Sequence, residues 1–236
     1  NEFSYCTIKN ASVGIYTNGG DNLDDYMINL NNVQIYNSSN FGILSISSSV
    51  SAQNLVINKS GQSSFAGIYG GKFHFNHCTI ANFWSSGIRQ YPSALFNNFY
   101  IDSDENEFIN EVFELIITNS VIDGNQNIEF LIEKLGSYEL NYSLYDTMVR
   151  FNDINNYFSD DPTYDFSDNS HYINLYNNLN SNFVNPFFND LRINQFSELI
   201  GLGNLQYSIN SPFDILNNSR ADSSDLGAFQ HTIIED

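Results

Sequence analysis

"KFHFNHCTIANFW", residues 72–84, gathers two histidines, a cysteine and the only tryptophan of the chain into one short run. Taken alone it looks like a site, but set against its neighbours it is one period of a repeat. The apolar residue closing each "N-x-x-I"-like run recurs at Ile8, Ile35, Ile57, Ile80, Ile101, Ile122 and Leu144, with steps of 27, 22, 23, 21, 21 and 22 residues. Three positions before these anchors stand Tyr5, Asn32, Asn54, His77, Asn98, Asn119 and Asn141, so His77 occupies an asparagine column. Stacked asparagine amides bond to one another and to bend backbone, which satisfies polar groups that a tight bend leaves unpaired. A second apolar signal follows at Ile15, Ile43, Ile68, Ile88, Phe108 and Ile128, with glycine before the first four.

Short β-branched segments separated by Asn/Ser/Gly bends predict an all-β chain, a right-handed parallel β-helix (solenoid) of about 22 residues per coil. Regular coils are expected over residues 1–146, with residues 147–236 as irregular final coils and a closing segment of the same domain. Alternation along each strand places Cys78 and Ile80 inside and Thr79 in solvent. Cys6 and Cys78 share a column three coils apart, about 14 Å at the inter-strand spacing and too far for a disulfide, so two buried free thiols are expected.

Eight Lys+Arg against 27 Asp+Glu give a formal charge of −19, which repels phosphate backbones and anionic lipid heads and excludes nucleic acid as a partner. No apolar run reaches the length of a membrane-spanning helix, and the chain opens at Asn1 with neither Met nor a signal-like segment. Phe3 and Tyr5 fall in a complete repeat at that end, so further N-terminal coils or a partner are expected to cover it.

"FNHCTIANFW" and "RQYPS", with the tail segments "FVNPFFNDLRI", "SELIGLGN" and "DLGAFQ", resemble the right-handed parallel β-helix repeat proteins of the Bacteroidota cell envelope, many of them surface lipoproteins without assigned activity. Glu198 stands where that pattern has proline and Gly201 where it has aspartate. The resemblance implies a lipidated amino terminus upstream, a location at the outer membrane or outside the cell, and a polysaccharide or another envelope protein as partner.

Two groups of residues are candidate sites. Trp84 and Arg89 follow an anchor at a bend, where an aromatic platform beside a cation suits stacking on a saccharide ring. Asp102 and Asp123 each follow an anchor, one coil apart, which puts their carboxylates about 5 Å from each other, with Asp104 close by. Such a set is either an acid/base pair or a metal site, for which Ca2+ is the fitting ion. His74 and His77 are three apart on an extended segment and point to opposite faces, so both read as structural rather than metal ligands. Basic residues are too few for a lyase acting on an acidic polysaccharide. The favoured function is therefore a non-enzymatic cell-surface module that binds polysaccharide or envelope proteins, possible as a subunit of an outer-membrane assembly. A polysaccharide hydrolase or lyase using Asp102 and Asp123 is the alternative.

Overall fold

The computed structural model describes residues 1–19, 26–110, 113–138 and 140–234. Its strands are β1 (Glu2–Lys9), β2 (Val13–Asn18), β3 (Ile28–Ser38), β4 (Phe41–Gln53), β5 (Val56–Ser60), β6 (Phe65–Asn76), β7 (Thr79–Asn82) and β8 (Ala94–Asn97). They continue as β9 (Phe99–Ile101), β10 (Glu107–Ile109), β11 (Phe113–Thr118), β12 (Val121–Gly124), β13 (Phe130–Glu133), β14 (Asn141–Val149), β15 (Tyr172–Asn177), β16 (Phe183–Asn185) and β17 (Asp190–Ile193). One four-residue helix, α1 (Leu205–Ser208), lies in the tail.

The chain is all-β, but it does not form the right-handed parallel β-helix expected. Hydrogen-bonded pairing runs β3, β4, β6, β11, β14, β12, β7, β5 and back to β3, which closes eight parallel strands into a barrel, with β1, β2, β8, β13 and β15 as extra strands. Closure comes from long strands that carry on through bends. The first part of β4 pairs with β2 and with Phe65–Ile68 of β6, whereas its second part pairs with Ile28–Asn31 of β3 and with Phe73–Asn76 of β6. Likewise Gln34–Ser38 of β3 pairs with β5, beyond a bend at Asn32. Each such strand joins two sets of neighbours that an open stack of separate faces would keep apart.

The anchors meet in this frame with one correction. Ile8, Ile35, Ile57, Ile80 and Ile122 stand directly opposite one another on successive parallel strands, and Ile35, Ile57, Ile80 and Ile122 are buried. Ile101 is not among them: it is half exposed at the end of β9, which turns back on β10 as an antiparallel hairpin. Ile122 is matched to Ile80 and to Val149, so the two sequence steps of 21 are one interval carrying an excursion, and Leu144 lies five residues before the true partner. Parallel pairing continues through β15, past residue 146.

The column three residues before the anchors sits at the bends. Tyr5, Asn32, Asn54, His77, Asn119, Asp146 and Asn174 all take left-handed φ between 44° and 56°. Asparagine and aspartate tolerate this conformation better than other side chains because their short polar groups bond locally. Asn54 Nδ2 donates to Asn32 Oδ1 (3.0 Å), Asn119 Nδ2 to His77 Nε2 (3.0 Å) and Asn174 Nδ2 to Asp146 Oδ1 (3.0 Å). Asn98 and Asn141 are replaced in the column because the excursion shifts the period. The glycines before the second apolar signal have a packing reason: a Cβ on Gly42 would lie 2.4 Å from the Ser64 carbonyl oxygen and 2.5 Å from Ile57 Cγ2.

Inside the barrel, Phe65 packs on Phe73, Phe75 and Phe96 with ring centroids 5.4, 4.9 and 5.4 Å away. Outside, the tail covers one face: Leu191, Ala228 and Phe229 bury Tyr36, Val56 and Ala81, and Ile193, Leu199 and Leu226 bury Val121 and Met148. Thr79, expected in solvent, is therefore buried, and its hydroxyl accepts from the Ala228 amide (3.0 Å). Of the two free thiols Cys78 is buried, which pushes its pKa up to about 12, whereas Cys6 is only half-buried. At the centre of the docked tail lies the fully buried Arg220, whose guanidinium donates to the carbonyls of Ser211, Phe213 and Gly227 and to Asn54 Oδ1.

Asn119 is both a left-handed bend and a bridge, since its Nδ2 reaches Asn204 O (2.9 Å) and its Oδ1 accepts from Asn204 N (2.8 Å). We expect Asn119→Ala to lower stability by about 1–3 kcal/mol, read as the midpoint of urea unfolding. Asn119→Gly should recover the backbone part of that loss, but not the part due to the bonds.

Candidate functional site

The acidic residues singled out from sequence are not brought together. Asp102 closes the β9–β10 hairpin, where its carboxylate accepts from the amides of Asp104 (2.9 Å) and Asn106 (2.9 Å) and from the Asn106 side chain. The Asn106 side chain is the largest influence holding this exposed carboxyl below the usual range. Asp123 is instead buried on β12 opposite Ala81. There it bonds Arg150 Nε, Ser181 Oγ (2.6 Å) and the Gly124 amide (2.7 Å). The pair, with Asp104, depended on Ile101 and Ile122 being adjacent anchors, and the hairpin excursion removes that adjacency. Among the described residues no group of three or more His, Cys, Asp or Glu side chains could hold a metal ion.

Arg89 is buried as well, so it does not present a cation beside Trp84. Its guanidinium forms a two-pronged pair with Glu129 (Nη1 to Oε2 2.7 Å, Nη2 to Oε1 2.5 Å) and also donates to Tyr91 O and Asn125 Oδ1. Glu129 accepts three further bonds, from Ser93 N and Oγ and from Gln126 N. The half-buried Trp84 contributes its carbonyl, which accepts from Asn125 Nδ2 (2.8 Å). This pair ties the loop around residues 84–93 to the bend at residues 125–129. Gly124 is required there, because a Cβ would lie 2.1 Å from Glu129 Oε1.

Against this tied loop opens a cavity of about 300 Å3, lined among others by Gln90, Gln126, Asn127, Asn152, Asn155 and Tyr157. Gln126 Nε2 is spent on Arg89 O (2.7 Å), while the side-chain amides of Gln90, Asn127, Asn152 and Asn155 make no hydrogen bond among the described residues. Tyr157 stands 79% exposed at the rim, on a turn whose amides are held by the Asp153 carboxylate. Uncommitted amides beside an aromatic face suit a polyhydroxylated ligand.

A second constellation lies on the outer face of β4, β6 and β11. Register puts Lys72 opposite Glu114, and His74 between Ser51 and Ile116. Tyr26, two residues before β3, bonds its hydroxyl to His74 Nδ1, while His74 Nε2 reaches Glu114 Oε1 (2.6 Å). Lys72 Nζ is 3.4 Å from the same oxygen and 5.3 Å from the centre of the Tyr26 ring. Burial first, then the charge of Glu114, pushes the Tyr26 phenol up to about 12; burial lowers His74 against the pull of Glu114. The tautomer that fits both contacts donates from Nε2 to the carboxylate and accepts from the phenol at Nδ1. His74, Ser51, Gln53, Asn76 and Thr118 floor an adjoining trough of about 260 Å3, walled by Gln206, Tyr207 and Asn210.

Sequence reasoning set His74 aside as structural and passed over Tyr26 and Glu114. The signal was the 42-residue interval that separates both Lys72 from Glu114 and Ile80 from Ile122. The structural reading does hold for His77, which is fully buried with Nδ1 on Gly227 O (3.2 Å) and Nε2 on Ser208 Oγ (2.9 Å). Burial and then the nearby Arg220 lower it well below the ordinary imidazole value.

No protein-family model matches the chain, and neither a curated protein nor a solved structure matches it.

Removing one partner of a buried ion pair strands the other, at a cost of about 3–5 kcal/mol. Glu129→Gln should therefore destabilise the protein by that order, measured as a fall in thermal midpoint, and should free the loop at residues 84–93 to proteolysis. Asp102→Asn, in an exposed hairpin, should leave the midpoint unchanged.

Proposed function

We propose that the protein is a binding module for neutral polysaccharide, displayed at or secreted from a cell surface, and that the cavity beside Tyr157 is its binding site. The observation that carries this reading is the set of four uncommitted amides converging on a cavity with an exposed tyrosine at its rim. Amide groups both donate and accept, as sugar hydroxyls do, and an aromatic face matches the apolar C–H face of a pyranose.

Charge narrows the ligand class. At −19 the protein repels sulfated and uronate-rich chains, whereas a neutral glycan pays no such penalty. The Arg89–Glu129 pair supports the reading by holding one wall of the cavity rigid, which reduces the ordering cost of binding. A hydrolase built on Asp102 and Asp123 has no support, because their carboxylates serve separate local networks.

Calorimetric titration with neutral β-linked oligosaccharides should give saturable binding that heparin and polygalacturonate do not reproduce. Loss of a stacking platform worth about 1.5 kcal/mol corresponds to about a tenfold rise in Kd, the effect expected of Tyr157→Ala. Binding unchanged in that variant, or absent for every neutral glycan, would count against the cavity as the site.

A further inference from the structure

We propose that Tyr26, His74, Glu114 and Lys72 form an ester-cleaving site, acting on acyl substituents of a neutral glycan laid in the adjoining trough. The site is separate from the cavity beside Tyr157, and only the choice of a glycan as the acyl carrier rests on the binding reading.

The argument starts from geometry. A hydroxyl bonded to one imidazole nitrogen, and a carboxylate bonded to the other at 2.6 Å, reproduce the nucleophile, base and orienting acid of acyl-transfer enzymes, here with a phenol as the hydroxyl. The three groups come from distant positions: Tyr26 from the segment before β3, His74 from β6 and Glu114 from β11. They are neither fully exposed nor sealed in: the side chains of His74 and Glu114 are 33% and 29% accessible. Lys72 supplies the remaining requirement. Its ammonium, 5.3 Å from the centre of the Tyr26 ring and 3.4 Å from Glu114 Oε1, adds a positive charge to the group that favours the negative charge developing when the phenol attacks a carbonyl. In the trough beside His74 the Gln53 and Asn76 amides donate to the Asn210 and Tyr207 carbonyls, and the Thr118 hydroxyl to Phe75 O and Asn76 Oδ1. This leaves the Ser51 hydroxyl and the Gln53 side-chain oxygen to meet a sugar chain laid along it.

The chemistry balances without a cofactor. The Tyr26 oxygen bonds to the ester carbonyl carbon as its proton passes to His74 Nδ1, and the imidazolium is held by Glu114 through Nε2. Collapse of the tetrahedral adduct breaks the bond to the sugar oxygen, which leaves with the proton from His74. Water then attacks the aryl ester on Tyr26, gives its proton to His74, and releases the carboxylic acid as the phenol is restored. The sum is ester plus water to acid plus alcohol. An aryl ester is more reactive than an alkyl ester, so the second half is the easier one.

The ionisable groups facing His74 are Tyr26, Glu114 and Lys72. Burial holds the imidazole below its ordinary pKa, so activity should persist to lower pH than an unperturbed histidine base allows.

The test uses the whole chain with 4-nitrophenyl acetate and with O-acetylated xylo-oligosaccharides, assayed by acetate release. Turnover above the buffer rate is expected. Tyr26→Phe, which keeps the ring over Lys72, should lower kcat/KM by about 100-fold or more, as should Glu114→Gln. Circular dichroism should show both variants folded. In the wild type, rapid acid quench should place an acetyl group on the peptide containing Tyr26. A wild-type rate no greater than buffer on both substrates, or a Tyr26→Phe variant that keeps the wild-type rate, would overturn the proposal. Either result would leave the titration with unmodified oligosaccharides untouched, so the two readings fail separately.

Discussion

The parallel strands of this barrel turn repeatedly at bends whose backbone is left-handed. Seven residues, from Tyr5 to Asn174, hold φ near +50° in one column, a conformation that costs a non-glycine L-residue about 1–2 kcal/mol. The column offsets that cost through side-chain bonds between successive bends and through bonds to the tail. Strands long enough to pass through such bends pair with different partners on either side, and this is what closes the sheet. Where the column holds aspartate or histidine instead of asparagine, the replacement is bonded into the same network. His77 accepts from Asn119, and Asp146 accepts from Asn174 and Asn204.

The tail and the buried charges depend on that column. Arg220 docks against Asn54, one of the bend residues, and spends its other bonds on carbonyls of the tail itself. The guanidinium is thus a bolt between barrel and tail, and its burial brings its pKa down to about 10. Asp225, fully buried in the tail, ties parts of the tail to one another by accepting from the amides of Gly201 and His231. The Arg89–Glu129 pair fastens a loop to a bend in the same way. Few charges are available to this chain, and three of its eight basic residues, Arg89, Arg150 and Arg220, are committed to carboxylates or carbonyls at buried positions.

The functional surfaces are what remains after this consolidation. The residues that looked chemical in sequence, Arg89 and Asp123, were absorbed as fasteners, because burying a charge demands a partner and each found one. Around Tyr157 the residues that remain are ordinary amides with unspent polar groups, and beside the trough at His74 they are a tyrosine, a histidine and a glutamate bonded to one another. Their significance lies in convergence from separate strands and loops.

The sequence by itself determined the all-β class, the recurrence of buried isoleucines from Ile35 to Ile122, the asparagine bends and the negative surface. These are local properties: alternation, turn chemistry and charge are written in residues a few positions apart. Only the tertiary structure decided which repeats are neighbours. An excursion such as the β9–β10 hairpin looks like one more period until the pairing of Ile80 with Ile122 is seen. The Arg89–Glu129 pair and the Tyr26–His74–Glu114 relay join residues 40 or more apart in sequence, as do the β6–β11 and β7–β12 pairings of the closed sheet. Their proximity is set by strand register, and a single inserted hairpin changes that register without altering the local pattern on either side.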